Sequence, residues 1–151
     1  MPINFYTPKF YVFNNFSAHA IEFRGKLYPT SEHAYQAAKC TDPQGCEEIR
    51  NARSPGRAKT LANETYGAAK DPAWDSKKVA VLEEILRAKL TQHPEAQKAL
   101  RDSGHEDIVE DSPTDYFWGE GADGSGQNML GKLWMKIRDE KSALSQNCRL
   151  G

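Results

Sequence analysis

No apolar run in this chain approaches the roughly 20 residues that a membrane-crossing helix requires. The opening Met-Pro-Ile-Asn-Phe-Tyr has neither the basic nor the apolar region of a secretory signal. A soluble intracellular protein without membrane attachment is therefore expected, cytoplasmic, or also nuclear if the source is eukaryotic. Cysteine is scarce: Cys40, Cys46 and Cys148 make an odd number with no C-x-x-C pair. Neither a disulfide framework nor a thiolate metal cage is expected. The histidines, His19, His33, His93 and His105, never fall in an H-x-x-x-H spacing, so no metal and no cofactor is expected. Bulk charge is missing too. A net charge of −1 and a pI near 6.4 argue against capture of nucleic acid or anionic lipid by overall charge, and any polyanion contact has to be local. The glycines at 119, 121, 124 and 126 match neither G-x-G-x-x-G nor G-x-x-x-x-G-K-[ST]. A dinucleotide fold and a P-loop are both unsupported.

What is present is enough chain, 151 residues, for a single domain with a real core. A monomer is expected. Ala20-Ile21-Glu22-Phe23 alternates like a half-buried strand, Arg24-Gly25 reads as a tight turn, and Lys26-Leu27-Tyr28 returns as a second strand. Asp42-Pro43 and Ser54-Pro55 each read as helix starts, with proline at the first helical position. Asp71-Pro72 opens what reads as the longest helix, with Val79, Leu82, Ile85, Leu86 and Leu90 on one face. Pro94 restarts it and Gly104 ends it. Ile108-Val109 reads as a brief strand, Asn128 as a cap, and Leu130, Leu133, Trp134 and Ile137 as the face of a last helix. The fold class expected is α+β: a mainly α-helical single domain with a small N-terminal β-hairpin or sheet. Residues 142–151 have little to bury and read as a flexible tail.

Residues 29 to 40, Pro-Thr-Ser-Glu-His-Ala-Tyr-Gln-Ala-Ala-Lys-Cys, organise the rest. Thr30 suits an N-cap, and the alanines, Tyr35 and Gln36 then favour helix. Glu32 and Lys39 are seven residues apart, which returns to the same helix face about 10 Å further along the axis. Pairs that merely stabilise a surface sit three or four apart. Seven leaves room for a sugar-sized ligand between carboxylate and amine, with Tyr35 and Gln36 in the intervening turn. The same spacing equally fits a solvated face carrying one acid and one base. His33 points about 100° away from Glu32 and reads as packing or solvent-facing. Residues 50 to 59 carry Arg50, Arg53, Arg57 and Lys59 with no acid. That window is either a solvated basic face or a phosphate site at Arg53 and the Ser54 helix start.

Two spaced blocks carry a resemblance. Phe13-Asn14-Asn15-Phe16-Ser17, followed by the run from Ile21 to Lys39, resembles the opening signature of the NADAR family, also called YbiA-like. Val109-Glu110-Asp111-Ser112-Pro113, Trp118-Gly119-Glu120-Gly121 and Gly126 to Gly131 resemble its closing signature. Trp74-Asp75 and Lys78 match a helix start between them, and the likeness spans roughly residues 5 to 138. It implies one NADAR domain over residues 1–141.

The resemblance implies hydrolysis of a ribose C1–N bond. One substrate class is ADP-ribose on modified guanine in nucleic acid, a DNA-repair role, and it is the first expectation. The alternative is a phosphorylated ribosylamino-pyrimidine intermediate of riboflavin synthesis. A non-catalytic module that binds ADP-ribose or a nucleotide is a further alternative, and an interaction domain is disfavoured because the apolar stripes are narrow enough to be core. The expected partner is thus ADP-ribosylated nucleic acid or a ribosyl-phosphate small molecule. Glu32 and Lys39 are the implied catalytic pair, the lysine acting as an acid or through a Schiff base. A nucleophilic Lys39 needs desolvation or a second cation, because ionised Glu32 raises its pKa. Asn14 or Asn15 can bind sugar hydroxyls; Phe16 and Trp118 can stack on a base or belong to the core. Tyr35, Arg53 and Ser54 complete the first block of substrate-binding candidates. Glu110, Gly119 and Asn128 complete the second, with Asp111 a further carboxylate or a turn residue before Pro113.

Overall fold

The computed structural model describes residues 2–5 and 7–150, the side chains of Asn4 and of 144–150 excepted. In chain order the elements are β1 (Ile3–Asn4), a 3-10 turn (Pro8–Phe13), β2 (Ile21–Phe23), β3 (Lys26–Tyr28), α1 (Ser31–Lys39), α2 (Pro43–Arg50) and α3 (Pro55–Thr60). A π-helical turn (Leu61–Thr65), a 3-10 turn (Gly67–Ala69), α4 (Trp74–Gln92), α5 (Pro94–Asp102), β4 (Ile108–Val109) and α6 (Met129–Leu150) follow. The fold is α+β and mainly helical, as expected. The described residues form two compact units, Asn15–His93 and the two flanking segments.

Within Asn15–His93, β2 and β3 pair antiparallel with Ile21 opposite Tyr28 and Phe23 opposite Lys26, the predicted hairpin. Its turn holds Arg24 and Gly25 at φ of 50° and 82°, the left-handed region that glycine enters without strain. α1 is at the centre, packed against α2, α3 and α4. Thr30 caps it as expected, its hydroxyl accepting from the His33 N–H. Close approach of α2 depends on Gly45, where a Cβ would lie 2.7 Å from the Tyr66 ring and 2.8 Å from Cys40 Sγ. Asp42 and Ser54 cap α2 and α3 as their prolines predicted. α4 begins at Trp74 rather than at Asp71-Pro72, because Asp71 forms a turn whose carboxylate accepts from the Ala73 N–H. Its buried stripe is Val81, Leu82, Ile85, Leu86 and Leu90, and Lys89 is buried among them, its ammonium donating to Ser17 Oγ at 2.7 Å.

In the flanking unit β1 and β4 pair in parallel, Ile3 beside Ile108. The aromatic N-terminal segment builds this core: Phe13 meets the Trp134 ring at 5.0 Å, and the indole N–H donates to the Phe13 carbonyl. α6, not α4, is the longest helix, and its backbone continues to Leu150 through the segment read as a tail; Gly151 lies outside the described residues. Asn128 does not take the extended backbone of an N-cap. It sits at φ 51°, its amide nitrogen donating to the Ile108 carbonyl and its oxygen accepting from the Glu110 N–H. The side chain is spent on bridging the loop to β4, which overrides local capping preference. No helix among the described residues is long and apolar enough to cross a membrane.

His33 plays a packing role. It is 1% exposed, with Nδ1 2.8 Å from Thr30 Oγ1 and Nε2 2.9 Å from the Ala52 carbonyl. A carbonyl only accepts, so Nε2 carries a proton, and the Thr30 hydroxyl can donate to Nδ1 of the neutral ring. Burial lowers its pKa, more than the Ala52 bond raises it. The unfolded chain therefore binds a proton at His33 before the folded one does. Stability is full above about pH 6.5 and is lost as pH falls through the lower folded value. Unfolding midpoints measured between pH 7.5 and 5 should fall in the parent and fall less in His33→Gln.

Candidate functional site

Seven of the nine residues of α1 are buried, Glu32, His33 and Gln36 among them. A buried carboxylate requires a donor. Glu32 has one in Gln36, four residues on, whose Nε2 lies 2.7 Å from Oε1 of the carboxylate. Glu32 also sits in the first turn, where the helix dipole favours negative charge. Its backbone N–H donates to the Asn15 carbonyl at 3.0 Å, which fastens the segment before the hairpin to the start of α1.

Lys39 lies at the other end of the helix, half-buried, its amine donating to Asn63 Oδ1 at 2.5 Å. Asn63 belongs to the π-helical turn, closed by the bond from the Tyr66 N–H to the Leu61 carbonyl. Such turns add a residue to a helix and frequently re-aim side chains at functional positions. The chain beyond this turn comes back to α1: the Asp71 backbone N–H donates to the Lys39 carbonyl and Cys40 pairs with Lys70 as an isolated antiparallel bridge. The Lys39 pKa is lowered, first by burial and then by the charges of Lys70 and Lys59, against the opposing pull of Glu32. Desolvation and further cations, either of which would serve a nucleophilic lysine, both act on this amine.

Of the other candidates in this unit, Tyr35 is 8% exposed and packs its ring at 5.2 Å against Trp74, so its ring contributes to the core. Phe16 is 38% exposed, one of few large apolar side chains left at the surface. Asn15 Oδ1 is buried without a hydrogen-bond partner, as are Ser31 Oγ and Gln36 Oε1. Arg53 and Arg57 are exposed; Ser54 uses its hydroxyl on the Arg57 N–H. Arg50 is neutralised by Glu47 at 2.6 Å, so the basic window is smaller by one charge than its sequence suggested.

The remaining candidates lie in the flanking unit. Asn14 is buried and closes the 3-10 turn, its N–H donating to the Tyr11 carbonyl. Glu110 is 7% exposed, its N–H held by Asn128. Trp118 is half-buried, edge-on to Phe117 at 4.8 Å. A Cβ at Gly119 would come within 2.9 Å of the Asp115 and Glu110 carbonyls, so the glycine is needed for a tight backbone crossing.

Three residues that sequence reasoning did not assign a role stand around Glu32 and Lys39: Gln36, Asn63 and Lys70. Glutamate to glutamine at i, i+4 was a readable signal for the first. The other two arrive through a π turn and a long-range bridge, which no local pattern announces. The Lys39 amine, followed by NMR across a pH titration, should have a midpoint below the ordinary lysine value of about 10.4. Removing a neighbouring positive charge in Lys70→Gln should move that midpoint upward.

Residues 4–141 match the NADAR domain. N-glycosidase YbiA of Shigella boydii serotype 4 (strain Sb227) is 39% identical over 141 residues, covering 91% of this chain and 87% of that protein. The NMR structure of the E. coli protein YbiA superposes with a TM-score of 0.85 at 36% identity, covering 97% of this chain and 89% of that one. Riboflavin biosynthesis protein VVA0006 of Vibrio vulnificus (strain YJ016) is 35% identical over 141 residues, 92% of this chain but 38% of the relative.

Proposed function

The chain belongs to the NADAR family and is an N-glycosidase, and from that premise we propose that it cleaves the C1–N bond of a phosphorylated riboside with Glu32 and Lys39 as its catalytic pair. The observation that carries this reading is a half-buried amine of lowered pKa on the helix that buries the carboxylate. Loss of the nitrogen leaves positive charge on carbon 1 and the ring oxygen, which a fixed carboxylate stabilises more than it stabilises the neutral ground state.

In the covalent route the neutral Lys39 amine forms a bond to carbon 1 while the C1–N bond breaks, its electron pair going to the leaving nitrogen, which takes a proton from solvent. The ring oxygen then takes a proton from Nζ as the ring opens, leaving a protonated Schiff base. Water adds to carbon 1 and expels the lysine as a neutral amine, releasing the phosphorylated ribose and returning one proton to solvent. Asn63 accepts one N–H of the amine, which turns the remaining lone pair in a fixed direction.

For the substrate we propose a phosphorylated ribosylamino-pyrimidine, a reading supported by a relative that is named a riboflavin biosynthesis protein and is similar over 92% of this chain. ADP-ribose on guanine in nucleic acid is the second reading, favoured by the exposed cations Arg53, Arg57 and Lys59. Product analysis on both substrates in parallel separates the two.

Glu32→Gln keeps size and hydrogen bonding but removes the charge, and should lower turnover at least about 100-fold while substrate still binds. Turnover close to the parent's would take Glu32 out of the chemistry. Borohydride added during turnover should fix a ribose adduct on the peptide bearing Lys39, detectable by mass spectrometry and missing in Lys39→Ala. Lys39→Arg keeps a cation but no nucleophilic amine. An active Lys39→Arg enzyme with no adduct in the parent would leave water as the attacking group and Lys39 as an electrostatic or acid residue.

A further inference from the structure

The buried polar atoms around Glu32 leave one requirement open. The Gln36 side chain is 3% exposed and gives its Nε2 to the Glu32 carboxylate. An ionised carboxylate only accepts, so the amide cannot be flipped: its nitrogen must face Glu32 and its oxygen must face away. That oxygen is buried and has no donor. Asn15 repeats the situation. Its backbone carbonyl takes the Glu32 N–H while its Oδ1 is buried and unpartnered. A buried acceptor without a donor is costly, and native proteins keep few of them. Two acceptors, each on a residue hydrogen-bonded to Glu32, call for a ligand that brings donors to the place where the carboxylate works.

We infer that Gln36 Oε1 and Asn15 Oδ1 accept the hydroxyl protons of the ribose cis-diol, and that Gln36 takes the 2-hydroxyl. This rests on the reading that Glu32 faces carbon 1. The assignment between the two follows from chemistry. Gln36 touches the carboxylate itself, and the hydroxyl nearest carbon 1 is the one on carbon 2. Asn15 is fastened to the Glu32 backbone instead and receives the 3-hydroxyl. Gln36 thereby couples sugar recognition to the orientation of Glu32: one amide group holds the carboxylate with its nitrogen and the substrate with its oxygen. The enzyme is then selective for ribosides over 2-deoxyribosides.

The test compares matched ribo and 2-deoxyribo substrates in the parent and in Gln36→Met, which fills similar volume but lacks the amide. Intrinsic reactivity of the two sugars cancels when the ratio of kcat/KM values is compared between enzymes. The ratio favouring the riboside should fall at least about 10-fold in Gln36→Met, the size expected when a buried acceptor loses its donor. An unchanged ratio overturns the inference. A second measurement needs no variant: the parent protein should bind ribose 5-phosphate at least about 10-fold more tightly than 2-deoxyribose 5-phosphate, read by calorimetry. Equal affinities overturn the inference. If Glu32→Gln is inactive while these sugar preferences are absent, the diol assignment alone fails. If Glu32→Gln is fully active, the reading of the site fails with it.

Discussion

Burying a helix that carries a carboxylate, an imidazole and an amide sets the conditions under which the Asn15–His93 unit holds together. Each polar group taken from water must find a partner, at a cost of about 1–3 kcal/mol for each neutral one left without. Thr30, Ala52 and Gln36 discharge most of this obligation: the first two saturate the His33 ring and the third holds Glu32. The bonds are directional, so α1 cannot slide or rotate without breaking several at once. Such rigidity is what the proposed role of Glu32 would require.

The same burial sets up a contest over Lys39. Ionised Glu32 pulls the Lys39 pKa upward. Glu32 alone would thus keep the amine protonated. Desolvation of the stem and the charges of Lys59 and Lys70 outweigh it, and the lysine ends lower than its ordinary value. A carboxylate and an amine of lowered pKa can thus share one helix.

Much of this was legible in the sequence because it is local. The Thr30 cap, the Arg24-Gly25 turn, the proline-marked starts of α2 and α3 and the shared face of Glu32 and Lys39 all follow from spacings under eight residues. What escaped is non-local or conformationally unusual. Asn63 reaches Lys39 across 24 positions, and Lys70 reaches Cys40 across a bridge. Asn128 reads as a cap by residue type, but its left-handed backbone and two loop bonds make it a clasp. Lys89 falls on an apolar stripe whose pattern gives no notice that Ser17, 72 positions earlier, receives its ammonium. The basic window looked larger in sequence because Glu47, which neutralises Arg50, lies just outside it.

The π turn at Leu61–Thr65 carries one residue more than an α-helix would need for the same span. Deleting Leu61 or Ala62 would let the ladder close in the ordinary i to i+4 register. Everything on one side of the deletion would then rotate by about 100° relative to the other. Asn63 would turn away from α1, although every remaining side chain in the turn stayed chemically the same. A segment that tolerates substitution can thus be intolerant of a change in length, and chain length between Thr60 and Tyr66 becomes a structural variable in its own right.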